Sequence, residues 1–259
     1  MRTKMFEKAA MGRFAARLMA CTACALLAAP ASLAVPASAS SAEPYPQMAP
    51  INAYLMDRAQ EIALAKSAAP SSISKDATVL VLTRTGYETA VTGTNGFVCW
   101  VGRSFSAASD APERWNPKIR AAECLNPPAA RSVAPIVKLR TNMILAGRSD
   151  AETITRIKVA LRTGEIPALE AGAMSYMMSR TAYLTDEGDH AMPHVMFFVA
   201  LRDGTDWGAN APDGPIIGGN YWFFTPAHKA EAASLPPLSV LISPVCSWSD
   251  GTPAGAHHM

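Results

Sequence analysis

The stretch whose reading decides the fold is residues 149–164, "SDAETITRIKVALRTG". Ser149 followed three positions later by Glu152 is a capping box: hydroxyl and carboxylate satisfy backbone amides that a first helical turn leaves open. Ile154, Ile157 and Leu161 then recur at three- and four-residue steps, the period of one buried helix face. Gly164 tolerates the positive φ that ends many helices. The spacing predicts a helix over 149–164.

Working outward, a second helix is predicted just upstream. Pro135 suits a first helical turn, Ile136, Val137, Leu139, Met143 and Ile144 supply apolar surface, and Gly147 ends it. Beyond this pair the apolar period drops towards two. Upstream lie "ATVLVLTRT" (77–85), "YETAVTG" (87–93) and "FVCWVGR" (97–103); downstream lie "AMSYMMS" (173–179), "HVMFFVAL" (194–201), "YWFFT" (221–225) and "LSVLISPV" (238–245).

Strands, then helices, then strands again predict an α+β domain whose sheet is mostly antiparallel, with the helix pair packed against it. An N-terminal amphipathic helix over 51–67, with Ile51, Leu55, Ala59, Ile62 and Ala65 on one face, completes it. The first three strands read as a meander, with the 93–96 turn "GTNG" as a tight hairpin. Residues 105–128, interrupted by Pro112, Pro117, Pro127 and Pro128, read as one long connection, and "DGPIIGGN" (213–220) as a turn-rich loop.

The first 39 residues have the order of a secretory signal peptide. Arg2, Lys4, Lys8, Arg13 and Arg17 precede an apolar stretch that ends at Ala37-Ser38-Ala39. Pro30 and Pro36 make it a poor membrane span, and lipidation at Cys21 is disfavoured by Arg17 close before it. Residues 40–50 are Pro- and Ser-rich and read as a disordered lead-in, 51–250 as a single domain, and 251–259 as a flexible tail. Of 23 Lys+Arg and 21 Asp+Glu, the leader takes five and one, which leaves a net charge of −2 and no case for nucleic-acid binding. After cleavage no stable membrane span is expected, and the location would be periplasmic or secreted.

Removing the leader also leaves three cysteines, Cys99, Cys124 and Cys246, an odd number that allows one disulfide at most. Cys99 with Cys124 closes the shortest loop and is the leading candidate; the other pairings and three free thiols stay open.

No nucleophile elbow, phosphate-binding loop, H-E-x-x-H or post-leader C-x-x-C is present, and no cofactor is strongly implied. The acid-rich segment "DEGDHAMPHVMFF" (186–198) offers Asp186, Asp189, His190 and His194 as a metal or acid/base group, and thereby a hydrolase as the alternative function. Pro193 opposes a helix there, so His190 and His194 would meet only at a strand mouth. Acid-rich turns and strand-end histidines are also common without function.

Arg103, Arg114, Trp115, Asn116 and Arg120 around the long connection are candidates for holding an anionic or sugar-like ligand. Arg packed over an aromatic ring is the structural alternative. Trp207, Asn210, Tyr221 and Trp222 form a second candidate cluster, and Tyr221 to Phe224 a candidate patch for an envelope protein partner.

The phrases "GTNGFVCWVGRSF", "GAMSYMMS", "PHVMFFVAL" and "SWSDGTP" resemble those of a group of exported bacterial proteins with no assigned activity. The resemblance spans most of the chain after the leader, implies export and one domain, and brings no catalytic residues. The expectation is therefore an exported α+β domain that binds an unknown small molecule or a partner without catalysis.

Overall fold

The capping box forms as read. The Ser149 hydroxyl accepts from the Glu152 amide, the Glu152 carboxylate accepts from the Ser149 amide, and Gly164 closes the helix at φ 74°. The structure, a computed structural model, describes residues 44–106, 113–186, 192–222, 230 and 233–255. The expected signal peptide at 1–39 lies outside them.

Five α-helices are seen among the described residues: α1 (Arg58–Lys66), α2 (Ser71–Ser74), α3 (Pro127–Ser132), α4 (Ala134–Leu145) and α5 (Asp150–Thr163). The strands are β1 (Thr78–Thr83), β2 (Gly86–Val91), β3 (Val98–Gly102), β4 (Ala121–Leu125), β5 (Met174–Met177), β6 (His194–Val199), β7 (Ile217–Asn220) and β8 (Ser239–Pro244). They form one sheet in the order β2-β1-β3-β4-β5-β6-β8-β7, antiparallel throughout except between β1 and β3.

Alternation along each strand divides the core in two. Leu80, Leu82, Trp100, Leu125 and Phe198 share one face with the apolar sides of α4 and α5, among them Ile136, Val137, Ile154 and Ile157. Val79, Cys99, Val101 and Cys124 share the other with Ala65 of α1 and the Ala68-Ala69 link. The α+β class holds, and the N-terminal helix and the central pair sit on opposite faces.

Several expectations about connections and element limits are corrected. The first three strands are not a meander: β1 lies between β2 and β3, and β3 runs parallel to it. The 93–96 turn is therefore a crossing and not a hairpin. Gly93 donates to the Thr78 hydroxyl at 3.0 Å, and Thr94 to the Asp76 carbonyl at 2.8 Å. A Cβ on Gly93 would stand 2.2 Å from the Thr78 nitrogen, so only glycine lets the chain pass this close under β1.

The long connection contains β4, whose alanines and inward glutamate hide the apolar alternation of a strand. "DGPIIGGN" supplies the edge strand β7, where glycines leave no side-chain signal. Tyr221 and Trp222 form a turn after β7, and 223–225 lie outside the described residues. The first helix begins at Arg58, where Asp57 accepts from the Gln60 amide, and Ile51–Ala53 is a separate 3-10 turn. β6 is central by pairing, but Phe197 is 41 % exposed, so β6 is covered well on one face only.

Residues next to the domain are also engaged. Met48 and Ala49 pack against the core, and Tyr45 donates to Asp186. Ala254, from the stretch expected as a tail, is buried and donates to the Cys246 carbonyl. Among the described residues no helix is long and apolar enough to cross a membrane.

Candidate functional site

β4 carries a carboxyl into the apolar side of the sheet. Glu123 sits directly opposite Trp100 of β3, on the face that α4 covers. Next along the same face the cross-strand pair is Gly102 with Ala121, two residues too small to fill the layer above the sheet. The space they leave is part of a cleft of about 350 Å³. Met177, Met196, Val240 and Ile242 form its apolar wall, Gly219 of β7 leaves the far side low, and Tyr221 and Val137 overhang it.

Burial pushes the Glu123 carboxyl up to about 7, because a charged carboxylate here has exchanged water for methionine and isoleucine side chains. Ser175 and the Trp100 indole oppose the rise as neutral donors. The Ser175 hydroxyl is buried and meets no hydrogen-bond partner at full bonding geometry among the described residues. Among the described residues Glu123 forms no ion pair. The Tyr221 phenol is also raised, first by burial and then by the Glu123 charge.

The residues predicted from sequence are distributed elsewhere. Arg103 touches the cleft, yet its fully buried guanidinium serves the core. It donates to the Tyr54 carbonyl at 2.7 Å, to the Val101 carbonyl, and to Glu61 at 2.9 Å. Arg114 holds Asp150, at the start of α5, with two hydrogen bonds of 2.6 and 2.5 Å and lies 4.5 Å over the Trp115 ring. Asn116 is fully buried; its side-chain oxygen accepts from the Lys118 amide at 2.9 Å. Arg120 donates to the carbonyls of Pro117 and Ile119 at 2.6 and 2.8 Å. Each of these side chains is thus engaged within the protein, Arg103 with Glu61 and Arg114 with Asp150.

Asn210, at φ 59°, clasps the outer edge of β7: its side chain accepts from the Gly218 amide and donates to the Gly218 carbonyl. Trp207 is 56 % exposed beside Phe197 and Leu241, on the face away from Glu123. Trp222 is buried and its indole donates to the Pro236 carbonyl at 2.6 Å, while Tyr221 lines the cleft. The four residues of that expected cluster are thus divided between the two faces.

Of the metal candidates, Asp189 and His190 lie outside the described residues. Asp186 accepts from Tyr45, Tyr183 and Lys118, and these bonds, the Tyr183 one foremost, hold its carboxyl well below the usual range. His194 is buried with Met196 and Phe198 on its face of β6, and its Nδ1 is 2.8 Å from the Met192 carbonyl. Burial holds the imidazole below its ordinary value, so it is neutral at pH 7. Among the described residues no three His, Cys, Asp or Glu side chains come together as a metal group.

Cys99 and Cys124 face each other across β3 and β4 and are joined by a disulfide, with Cα atoms 4.0 Å apart. Cys246 is free and exposed. No protein-family model, no curated protein and no solved structure matches the chain.

Proposed function

We propose that the protein is an exported binding protein that takes a small, largely apolar ligand into the cleft beside Glu123 and does not transform it. The observation that carries this reading is the cleft itself, an apolar space of about 350 Å³ lined by one half-buried carboxyl without a cationic partner among the described residues. Ligand sites combine those two features: apolar walls for affinity and a few polar groups for orientation. The disulfide within the core supports export, since such bonds persist in oxidising compartments.

A carboxyl poised near neutral pH also suits acid/base chemistry, and many such sites pair it with a second group of complementary protonation. The other hydroxyls of the lining are poorly placed for that role. Ser106 exchanges hydrogen bonds with both backbone groups of Arg103, and the Tyr221 phenol is raised by burial. Binding without catalysis fits the lining better.

A thermal-shift screen of compact apolar compounds, run on the protein and on Met196→Trp, tests the reading. Met196 stands in the apolar wall, so an indole there fills the cleft. Compounds that raise the melting temperature of the wild type should lose that effect in the variant. If the shifts persist in Met196→Trp, or no compound shifts the wild type, the cleft is not a binding site.

A further inference from the structure

We infer, resting on the binding reading above, that the ligand is a compact organic cation, an ammonium group carried on an apolar body, seated with its nitrogen against Glu123. The cleft holds a negative group and no positive one to spare among the described residues. The cation in its lining, Arg103, already gives its guanidinium to Glu61 and to the carbonyls of Tyr54 and Val101. Arg140, fully buried on α4, is not part of the lining.

Each class of ligand meets this arrangement differently. An anion, such as a fatty carboxylate, would place like charges together in an apolar space and be rejected. A neutral ligand brings no charge, so Glu123 either keeps its own proton beside it or stays uncompensated. An ammonium supplies both the missing charge and N–H donors, and a charge-assisted bond is about twice as strong as a neutral one. Folding leaves Glu123 half-buried, so it has less water to give up on binding than an exposed carboxylate would.

The rest of the lining agrees. Met177 and Met196 present polarisable thioethers and Tyr221 an aromatic ring, surfaces that accept both methylenes and the fringe of a cation. A volume of about 350 Å³ is at the small end for ligand sites, which limits the apolar body to a short chain or a single ring. The Trp100 indole, a donor only, sits across the strand pair from Glu123, which favours the carboxyl as an acceptor and leaves its free oxygen to accept from the ligand.

The test is titration calorimetry at pH 8 with three matched probes: hexylammonium, 1-hexanol and hexanoate. Hexylammonium should bind about tenfold tighter than hexanol, with hexanoate weakest. In Glu123→Gln the alcohol should keep its affinity and the amine should fall to the same level. Glu123→Asp, which keeps the charge but withdraws it by one methylene, should reduce the amine preference without abolishing it, and the wild-type series decides even if neither variant folds. Equal affinity for amine and alcohol, or an amine preference that survives Glu123→Gln, overturns the cation assignment while leaving the cleft as a binding site. Absence of binding by all three probes overturns both.

Discussion

Glu123 is the residue on which most depends, and its cost to the fold is measurable. Burial pushes its carboxyl up to about 7 from an ordinary value of 4.5, so between those pH values the folded protein holds a proton that the unfolded chain has lost. Stability is therefore greatest below the unfolded value and falls as pH rises through 7, by up to about 3 kcal/mol. His194 acts in the opposite sense: its depressed pKa favours the folded state at higher pH and withdraws that support as pH falls. The two windows overlap, so the total profile hides both. The difference in unfolding free energy between Glu123→Gln and wild type isolates the carboxyl. It should rise in favour of the variant from pH 5 to pH 8 and level off above; a flat difference would show that Glu123 ionises freely in the folded protein. Arg103 illustrates the converse. Its charge was expected to face a ligand, and instead it compensates Glu61 inside the protein, where Glu61 also accepts from the Leu82 amide at 3.0 Å.

At the scale of elements, the crossing between β2 and β3 is the step that sets the topology. It brings β3 parallel to β1, and so places β4, the cysteine pair and Glu123 in the middle of the sheet. The passage depends on Gly93, whose added Cβ would meet the backbone of Thr78, Ala77 and Asp76 within 2.4 Å. Backbone cannot step aside as a flexible side chain can. Gly93→Ala should therefore lower the unfolding free energy by at least about 2 kcal/mol in denaturant titration. Gly147, where a Cβ would meet nothing within 4 Å, provides the contrast. Its φ of 69° makes alanine strained there, but only at the cost of one left-handed residue, about 1 kcal/mol. Asn126 shows how tightly the elements are joined. Its side chain accepts from Ala129 and Met174 and donates to the Gly172 carbonyl, tying the start of α3 to that of β5.

For the molecule as a whole, the Cys99–Cys124 bond joins the two strands nearest the cleft floor and closes a 25-residue segment. It lies on the α1 face, opposite the cleft, so its contribution is to stability and not to the shape of the site. Removing it frees that segment in the unfolded chain. The Cys99→Ala/Cys124→Ala double variant should unfold about 3 kcal/mol more easily in urea, yet bind cleft ligands as before. A loss of binding at conditions where the variant is still folded would show that the two faces are coupled through β4.

What the sequence determined by itself are the features that local chemistry specifies: the capped helix at 149–164, the helix before it, the apolar strand runs and the α+β class. Each depends on residues within a few positions of one another. The disulfide partners were also legible, through their short spacing. The strand at 121–125 was not legible from that pairing, because a disulfide brings two residues together without fixing the backbone of either. "AAECL" reads as loop, since alanine has little strand character and glutamate breaks the apolar alternation. Only the tertiary structure decided the rest. Which strand lies beside β1 depends on a backbone crossing 15 residues away in sequence, β7 is a strand only because β8 pairs with it, and Arg103 is structural only because Glu61 faces it from α1. The cleft exists because Gly102, Ala121 and Gly219 meet on one face of a sheet, and a cavity is a property of residues far apart in the chain that fail to fill a shared space.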